Sequence, residues 1–565
     1  CIWGFVDDFQ HKAICYSDIM QYIVRHVREA APGDARAAVL ARYEEQLGPR
    51  LRAARAAAGR GDEAAQAWVN LEKIRYLLQA LNGEDGPEAW VSDIEPLLAF
   101  GLESKEARRK QPSCSDIVFI ASQRIVLAAF LAHGKTPDRG RLASALFRAT
   151  CVLEAGIRLN DNSQLLKLYA IRLYLVLSCY DRARAIYDTL SIKHIQHDTL
   201  AHFIAGQGIA LGCSLADLEL CYDGVSFYDL ASAKLPRDIE MAYQLGTYSN
   251  VQDFLDFQDN LAHSVQRECT HRLALRSEAV TNTGGKEMLA NWAAADAASI
   301  VHTEKSLAAL HDNRDTAVMG LLTPPDMLTW NLEAATRPAP LAGTNWIQAF
   351  SLVPQIMHCI ATADVDTAET KARELAAAVA EAGDSLSPAD AVLLRGVAAI
   401  AAIYSHASSE KETIGARLDA LVELISTGLP DSKLDIDCAD AMGDLATRTI
   451  RSSAVAAELF AYALALKHAL YAQKLPAAHA VGVALAQLRK TGLQTANALR
   501  VWADKHARAQ IDAHWLAPDE GPLAAVAQYL AAKQNQAAAA AAKACATSWL
   551  RSAKSLLAQW EQLSL

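Results

Sequence analysis

The sequence predicts an all-α chain: a TPR-like helical-hairpin solenoid, or superhelix, followed by a C-terminal helical region. Three observations lead there. A 34-residue echo runs through the middle of the chain, and that is the period of tetratricopeptide-type helical hairpins. Apolar residues make up 52% of the 565 residues while Gly and Pro are few, the profile of a helix-rich chain with ample material for a core. Outside the echo, apolar residues recur at helical spacing and nowhere alternate as in a strand.

The echo rests on four sets of positions. Ser144, Ser178, Gly212 and Gly246 stand where such a repeat turns from its first helix to its second, small residues at a close helix crossing. Two positions further come Leu146, Tyr180, Ser214 and Tyr248, then Ala149, Ala183, Asp217 and Val251, then Leu153, Tyr187, Cys221 and Leu255. Only Ser214 and Asp217 depart from the pattern. Pro236 falls where the first helix of the fourth unit is expected to begin, a place where its missing N–H carries no penalty. One such unit cannot bury its apolar face alone, so neighbours stack and leave a concave surface free. Binding, not chemistry, is the expected function.

In chain order, residues 1–112 are expected to form an N-terminal helical region that continues a truncated solenoid. Ile19, Ile23 and Val27, and later Leu71, Ile74, Leu77 and Leu78, carry its helical spacing, with breaks at Pro32-Gly33 and over 83–87. The chain opens on Cys1 with no initiator methionine, so its true beginning is expected upstream. Residues 113–260 hold the repeats, entered through a helix over about 116–132 and a loop around 134–140. Residues 261–343 are a helical connecting region whose linker signals are Thr323-Pro324-Pro325 and the stretch 337–343. Residues 344–565 are the C-terminal helical region. Amphipathic spacing marks 389–404, 416–425, 454–471 and 478–509, the alanine run 537–542 favours another helix, and 549–563 closes the chain.

A formal charge of −10 argues against a dedicated nucleic-acid domain, and no sequence-specific nucleic-acid partner is expected. The basic run Lys105, Arg108, Arg109 and Lys110 reads as a solvated loop or helix end. Eleven cysteines, odd in number and without a C-x-x-C pair, support neither a disulfide framework nor a zinc ribbon, and are read as reduced and mostly buried. No apolar stretch is expected to span a membrane, because Arg395 and His406 interrupt or bound the longest candidate, 391–404. No signal peptide is recognised, and the expected compartment is cytoplasmic.

Candidate chemistry is sparse. His194, His197 and Asp198 have the spacing of ligands on one helix face. The repeat register instead puts them in the turn between two repeats, where Asp198 suits the cap of the next helix. Arg55-Ala56-Ala57-Ala58-Gly59-Arg60-Gly61 is similar to the loop with which acetyltransferases hold acetyl-CoA, but it is one residue too long and follows a helix where that loop needs a strand. It reads as a helix ending at glycine. Neither a P-loop nor H-E-x-x-H nor G-x-S-x-G occurs, so no catalytic residue, cofactor or metal site is assigned. The Asn/Lys clamp of chaperone-binding repeats is missing too, since the corresponding positions hold Leu168, Arg172, His202, Phe203 and Gly206. Candidate partner contacts are Tyr169, Arg172 and His202 on first helices, with Lys193, His194 and His197 in the inter-repeat turn.

The residues then become specific. The stretch 165–180, followed by Lys193-His194-Ile195-Gln196-His197-Asp198-Thr199, resembles the large auxiliary subunit of the NatB N-terminal acetyltransferase, whose family shares a Lys-His-Ile-Gln-x-Asp-Thr segment. Ala242-Tyr243-Gln244-Leu245-Gly246-Thr247-Tyr248 with Phe254-Leu255-Asp256-Phe257, and Asp312-Asn313-Arg314-Asp315, are similar to further strings of that family. The resemblance covers about 145–315. It implies a non-catalytic scaffold without a cofactor of its own, paired as a heterodimer with a small acetyl-CoA-dependent catalytic subunit of GNAT fold. It further implies contact with the ribosome and nascent chains, and acetylation of Met-Asp, Met-Glu, Met-Asn and Met-Gln N-termini by the partner. Against this stands a general TPR-type scaffold, such as a chaperone or trafficking adaptor, which the repeats alone leave open.

Overall fold

The structure is a computed structural model that describes residues 2–82, 86–135, 139–281, 285–294, 304–319, 336–407, 411–427, 442–505 and 523–563. Their regular structure is helical throughout, apart from one isolated bridge between Ser264 and His311, so the all-α expectation holds. Where helices start, local chemistry explains it. Ser104 Oγ accepts the Ala107 N–H, Asp364 accepts the Thr367 N–H, and Ser387 accepts the Asp390 N–H ahead of Pro388 in the first helical turn. The segments 389–404 and 416–425 lie inside the helices Pro388–Ser405 and Lys411–Thr427. The alanine run and 549–562 form one helix, Asn535–Gln562, called the C-terminal helix below. Residues 506–509, 134–140 in part, and Thr323-Pro324-Pro325 lie outside the described residues.

Three of the four expected hairpin turns occur, and they share one geometry. Ser178, Gly212 and Gly246 have left-handed backbone, with φ of 58°, 74° and 71°. In each case the next residue closes a Schellman turn: Cys179 N–H donates to Tyr174 O (2.8 Å), Cys213 to Gly208 O (2.7 Å) and Thr247 to Ala242 O (3.0 Å). Ser144 breaks the series, because it sits inside the unbroken helix Arg139–Leu159. Pro236 also departs from expectation. It lies within Ser214–Gln244, a continuous 31-residue helix that fuses the second helix of one unit to the first helix of the next. The carbonyl at Ser232 loses its partner there, but this stretch is exposed and water can replace the bond.

The two departures at Ser214 and Asp217 have a cause. The first helix of the third unit is broken into Gln196–Leu200, a 3-10 turn Ala201–Phe203 and Gln207–Ala210, with Gly206 left-handed at φ 78°. Backbone amides freed by that break need acceptors. Asp217, fully buried where the other units carry Ala or Val, takes the N–H groups of Gly206 (3.1 Å) and Gly208 (3.3 Å) on one oxygen. Burial pushes its pKa up to about 7 against the pull of those two amides.

One contiguous apolar core runs from Val6 to Leu563 through all four expected regions, so the chain ends pack into the same interior as the repeats. The C-terminal helix lies across the repeat turns. Trp549 Nε1 donates to Leu177 O (2.9 Å), Gln559 Nε2 reaches Gly212 O (3.3 Å) and Ser214 Oγ (3.1 Å), and Arg551 pairs with Asp181. Leu556 packs so closely on Gly212 that a Cβ there would lie 2.5 Å from its Cγ. By contrast the hairpin made by the second half of Ser214–Gln244 and Tyr248–Ala262 has a small core of its own, Tyr228, Leu235 and Leu261.

The membrane expectation needs correcting on length. Among the described residues three helices are long and apolar enough to cross a membrane: Pro112–Gly134 and Thr449–Ala472, whose most apolar windows are 83% and 89% buried inside the fold, and Pro388–Ser405, whose window is 44% buried. Helices enclosed on all sides by other helices must be apolar all round, which accounts for the composition of the first two without a bilayer.

Candidate functional site

A cavity of about 800 Å³ opens where the broken first helix of the third unit meets the connecting region and the C-terminal helices. Many separate segments of the described chain contribute to its walls. Arg172 arrives from helix Gln164–Val176, His202 and Phe203 from the 3-10 turn, and Arg276 from helix Val265–Thr281. Arg314 and Arg337 come from irregular chain, Asp390 from the start of helix Pro388–Ser405, and Arg451 with Glu458 from helix Met442–Ala472.

A buried ion cluster holds one wall. Arg276 grips Glu458 with two nitrogens at 3.0 Å each, reaches Asp390 at 3.1 Å and stacks 4.4 Å over Phe350. Burial alone would lower its pKa, but Glu458 and Asp390 outweigh that and hold the guanidinium firmly charged. Arg314 is held in the same way. It meets both Asp312 oxygens at 2.7 Å and donates to Ala342 O at 2.6 Å, and its hydrogen bonds draw the Asp312 pKa down. Arg451 donates to Leu175 O (3.0 Å), and burial lowers its pKa to about 10.

The sequence-derived contact residues separate into three environments. Arg172 and His202 both line the cavity, with the Arg172 guanidinium 5.6 Å over the Phe203 ring. Burial, then Arg314 and Arg172, push the His202 pKa down to about 3, so it is neutral at pH 7. Tyr169 is corrected: it is fully buried, its ring packed edge-on at 5.4 Å from Phe119, and it belongs to the core and not to a surface. Every residue from Leu166 to Leu175 in its helix is buried, so aromatic spacing alone could not separate a concave face from the core.

Lys193 and His194 are exposed and His197 is half-buried, stacked 6.0 Å from Phe227. Their segment folds on itself. His194 is left-handed at φ 52°, and the Gln196 side chain accepts the Lys193 N–H (3.0 Å). Asp198 does not cap a helix as expected. It is fully buried and accepts hydrogen bonds from Tyr228 (2.7 Å) and Ser264, tying the turn to helix Ser214–Gln244 and to the residue just ahead of helix Val265–Thr281. Thr199 O then receives the Asp315 N–H (3.0 Å), so the strings 193–199 and 312–315 meet in space beside the cavity. Arg276, Arg337, Arg451, Asp390 and Glu458 carried no sequence signal, because they converge from segments too far apart for any spacing rule.

The basic run stays at the surface: Lys105, Arg108, Arg109 and Lys110 are exposed, and Lys110 pairs with Asp161 at 2.5 Å. The stretch 55–61 is a helix end, with helix Asp34–Ala57 passing through a 3-10 turn to Gly61.

Residues 2–316, more than half of the chain, match the family model described as the non-catalytic subunit of the N-acetyltransferase B complex (NatB). Over 120 residues the chain is 37% identical to the N-terminal acetyltransferase B complex subunit arm1 of Schizosaccharomyces pombe, which covers 21% of this chain and 15% of that protein. Over 122 residues it is 26% identical to the Homo sapiens NatB auxiliary subunit, N-alpha-acetyltransferase 25, covering 22% of this chain and 13% of that one. These matches therefore span less than a sixth of either relative's length. Among solved structures, the chain is similar in fold to one in the NatB acetyltransferase complex bound to a bisubstrate inhibitor. The TM-score is 0.57 at 14% identity, covering 98% of this chain and 64% of the other.

Proposed function

We propose, from the premise that this chain belongs to the family of non-catalytic NatB subunits, that it is the auxiliary scaffold of a NatB-type N-terminal acetyltransferase. It holds a small acetyl-CoA-dependent catalytic subunit in a cytoplasmic heterodimer and helps to seat the pair at ribosomes, where nascent chains beginning Met-Asp, Met-Glu, Met-Asn or Met-Gln are acetylated. The family match over 2–316 carries this reading. The distribution of exposed apolar side chains supports it. Eight of the fifteen large hydrophobic residues exposed among the described residues fall between Leu215 and Leu255, with Leu230, Met241, Tyr243, Leu245 and Tyr248 each more than half exposed. Apolar surface gathered on one hairpin is the mark of an interaction face. A rigid face of this kind raises catalysis by holding a partner's substrate loops in their active geometry.

The test is co-expression of this chain with a NatB-type catalytic subunit, followed by co-purification and acetyl transfer from acetyl-CoA to Met-Asp and Ser-Ala peptides. Turnover of Met-Asp peptide by the pair and not by the chain alone is expected. Turnover by the chain alone would overturn the scaffold reading, and failure to pair would return the chain to the class of general repeat adaptors. Co-sedimentation of the pair with ribosomes tests the ribosomal part separately.

A further inference from the structure

We propose that the tip and outer helix of the open hairpin, residues 238–262, dock a Lys- and Arg-rich amphipathic helix of a partner protein. The inference rests on the reading of this hairpin as an interaction face, and it names the chemistry of what sits there. The tip is the first argument. Every residue from Tyr243 to Asn250 is exposed, although the hairpin behind them closes on a core of Tyr228, Leu235 and Leu261. Tyr243 and Tyr248 pack against each other with ring centroids 5.6 Å apart and planes at 68°, so two aromatic rings are held in place without being buried. Fixed, exposed tyrosines are effective anchors because little side-chain freedom remains to be lost on binding.

Spacing on the outer helix is the second argument. Tyr248, Leu255 and Asp259 stand seven and four residues apart in Tyr248–Ala262, so they lie along one face. Both apolar members are exposed, and two turns set them about 10 Å apart. Asp256 sits one residue round the helix from Leu255. The face therefore offers apolar anchors at i and i+7 with carboxylates beside them, the complement of an amphipathic helix that carries cations along the edge of its apolar stripe.

Charge selects the occupant. Between Arg237 and Arg267 the sequence has no Lys or Arg, but it has Asp238, Glu240, Asp253, Asp256 and Asp259, the last four exposed. Lys234 approaches Asp238 at 3.9 Å, and His263 and His311 approach Asp259 at 3.0 and 3.8 Å. Asp256 accepts the Gln252 amide at 2.7 Å, a contact that leaves its charge uncompensated. Such a face repels nucleic acid, anionic lipid headgroups and the same face of a second copy, and it draws a cationic segment. Lys and Arg side chains also suit the faces of the two tyrosine rings.

Fluorescence anisotropy of the 565-residue chain with three labelled peptides tests it: an amphipathic Leu/Lys helix, its Leu/Glu counterpart, and a Ser/Lys peptide of the same charge as the first. Saturable binding of the Leu/Lys peptide, about tenfold tighter than of the other two and weakened by added salt, is expected. Asp253→Lys with Asp256→Lys should weaken it about tenfold, and so should Tyr248→Ala. Glu381→Lys with Asp384→Lys makes the same change of charge at exposed positions outside the hairpin and should bind as the unaltered chain does. Equal loss in that control would reduce the effect to overall charge and overturn the site. Equal binding of the Ser/Lys peptide would overturn the anchors, and tighter binding of the Leu/Glu peptide the charge assignment. Self-association of the chain that Tyr248→Ala abolishes, read by sedimentation velocity, would give the face to a second copy instead. If the double Lys variant proves unfolded, Asp253→Asn with Asp256→Asn decides, with a smaller loss expected in the same direction. No peptide binding by a chain that still pairs with the catalytic subunit would sink this inference alone, whereas peptide binding without pairing would sink the scaffold reading alone.

Discussion

The turns at Ser178 and Gly212 and the turn at Gly246 are built alike and used differently. All three are left-handed and close with the same six-residue hydrogen bond. The first two lie under the C-terminal helix, which takes the Leu177 and Gly212 carbonyls with Trp549 and Gln559 and fills the space over Gly212 with Leu556. At Gly246 nothing lies within 4 Å of a built Cβ, and Tyr243, Leu245 and Tyr248 beside it are 65%, 71% and 64% exposed. The same local device therefore serves as an internal joint in one place and as the tip of an exposed apolar hairpin in another. What separates them is a helix more than 300 residues away in sequence.

The largest effect should come from removing the cover. Trp549→Ala empties a fully buried site and leaves the Leu177 carbonyl only the weak Cys179 thiol as donor, and about 4 kcal/mol of stability should be lost in urea unfolding. A loss under about 1 kcal/mol would mean that the C-terminal helix contributes little to the repeat turns. Next comes the matched pair of glycines. Gly212→Ala adds a left-handed alanine and a contact 2.5 Å from Leu556, whereas Gly246→Ala adds only the left-handed residue. Losses of about 3 and about 1 kcal/mol are expected, and equal losses would erase the distinction drawn between the two turns.

The pH dependence of the covered region follows. Asp217 has a native pKa raised from 3.8 to about 7, so the folded state favours its proton. Its contribution is fully present below pH 3.8 and is lost as pH rises through 7. Asp217→Asn keeps an acceptor for Gly206 and Gly208, and should remove that decline from unfolding free energies measured between pH 5 and 8. An unchanged pH profile would show that Asp217 ionises freely. A smaller gain is expected at Ser178, the one non-glycine of the three turns. Ser178→Gly relieves left-handed strain and should add up to about 1 kcal/mol, read as a higher thermal midpoint. Smallest for stability is Leu245→Asp on the open hairpin, expected to stay within about 0.5 kcal/mol. In a binding assay with the catalytic subunit the same variant should weaken the complex about tenfold or more. Unchanged affinity there would move the interface elsewhere.

Much of the fold was legible because helices and their turns are local. Pro388–Ser405 and Lys411–Thr427 announce themselves by apolar spacing, and Gly212 and Gly246 by the backbone that only glycine enters freely. Ser144 and Pro236 misled for a matching reason. A small residue at a repeat position permits a turn without enforcing one, and a proline in an exposed helix loses a bond that water replaces. The cavity was legible only in part, through Arg172, His202, Phe203, Gly206 and Arg314. Asp217 was visible as an exception to the period, but its role required knowing that the helix before it is broken.

By itself the sequence determined the helical class, the 34-residue spacing of the turns and the residues able to make them, since these depend on interactions between residues a few positions apart. Tertiary structure alone decided which turn is covered, which aromatic residues are core, and which arginines share a cavity. Those outcomes depend on side chains that meet across hundreds of residues, and no local pattern encodes the distance between them.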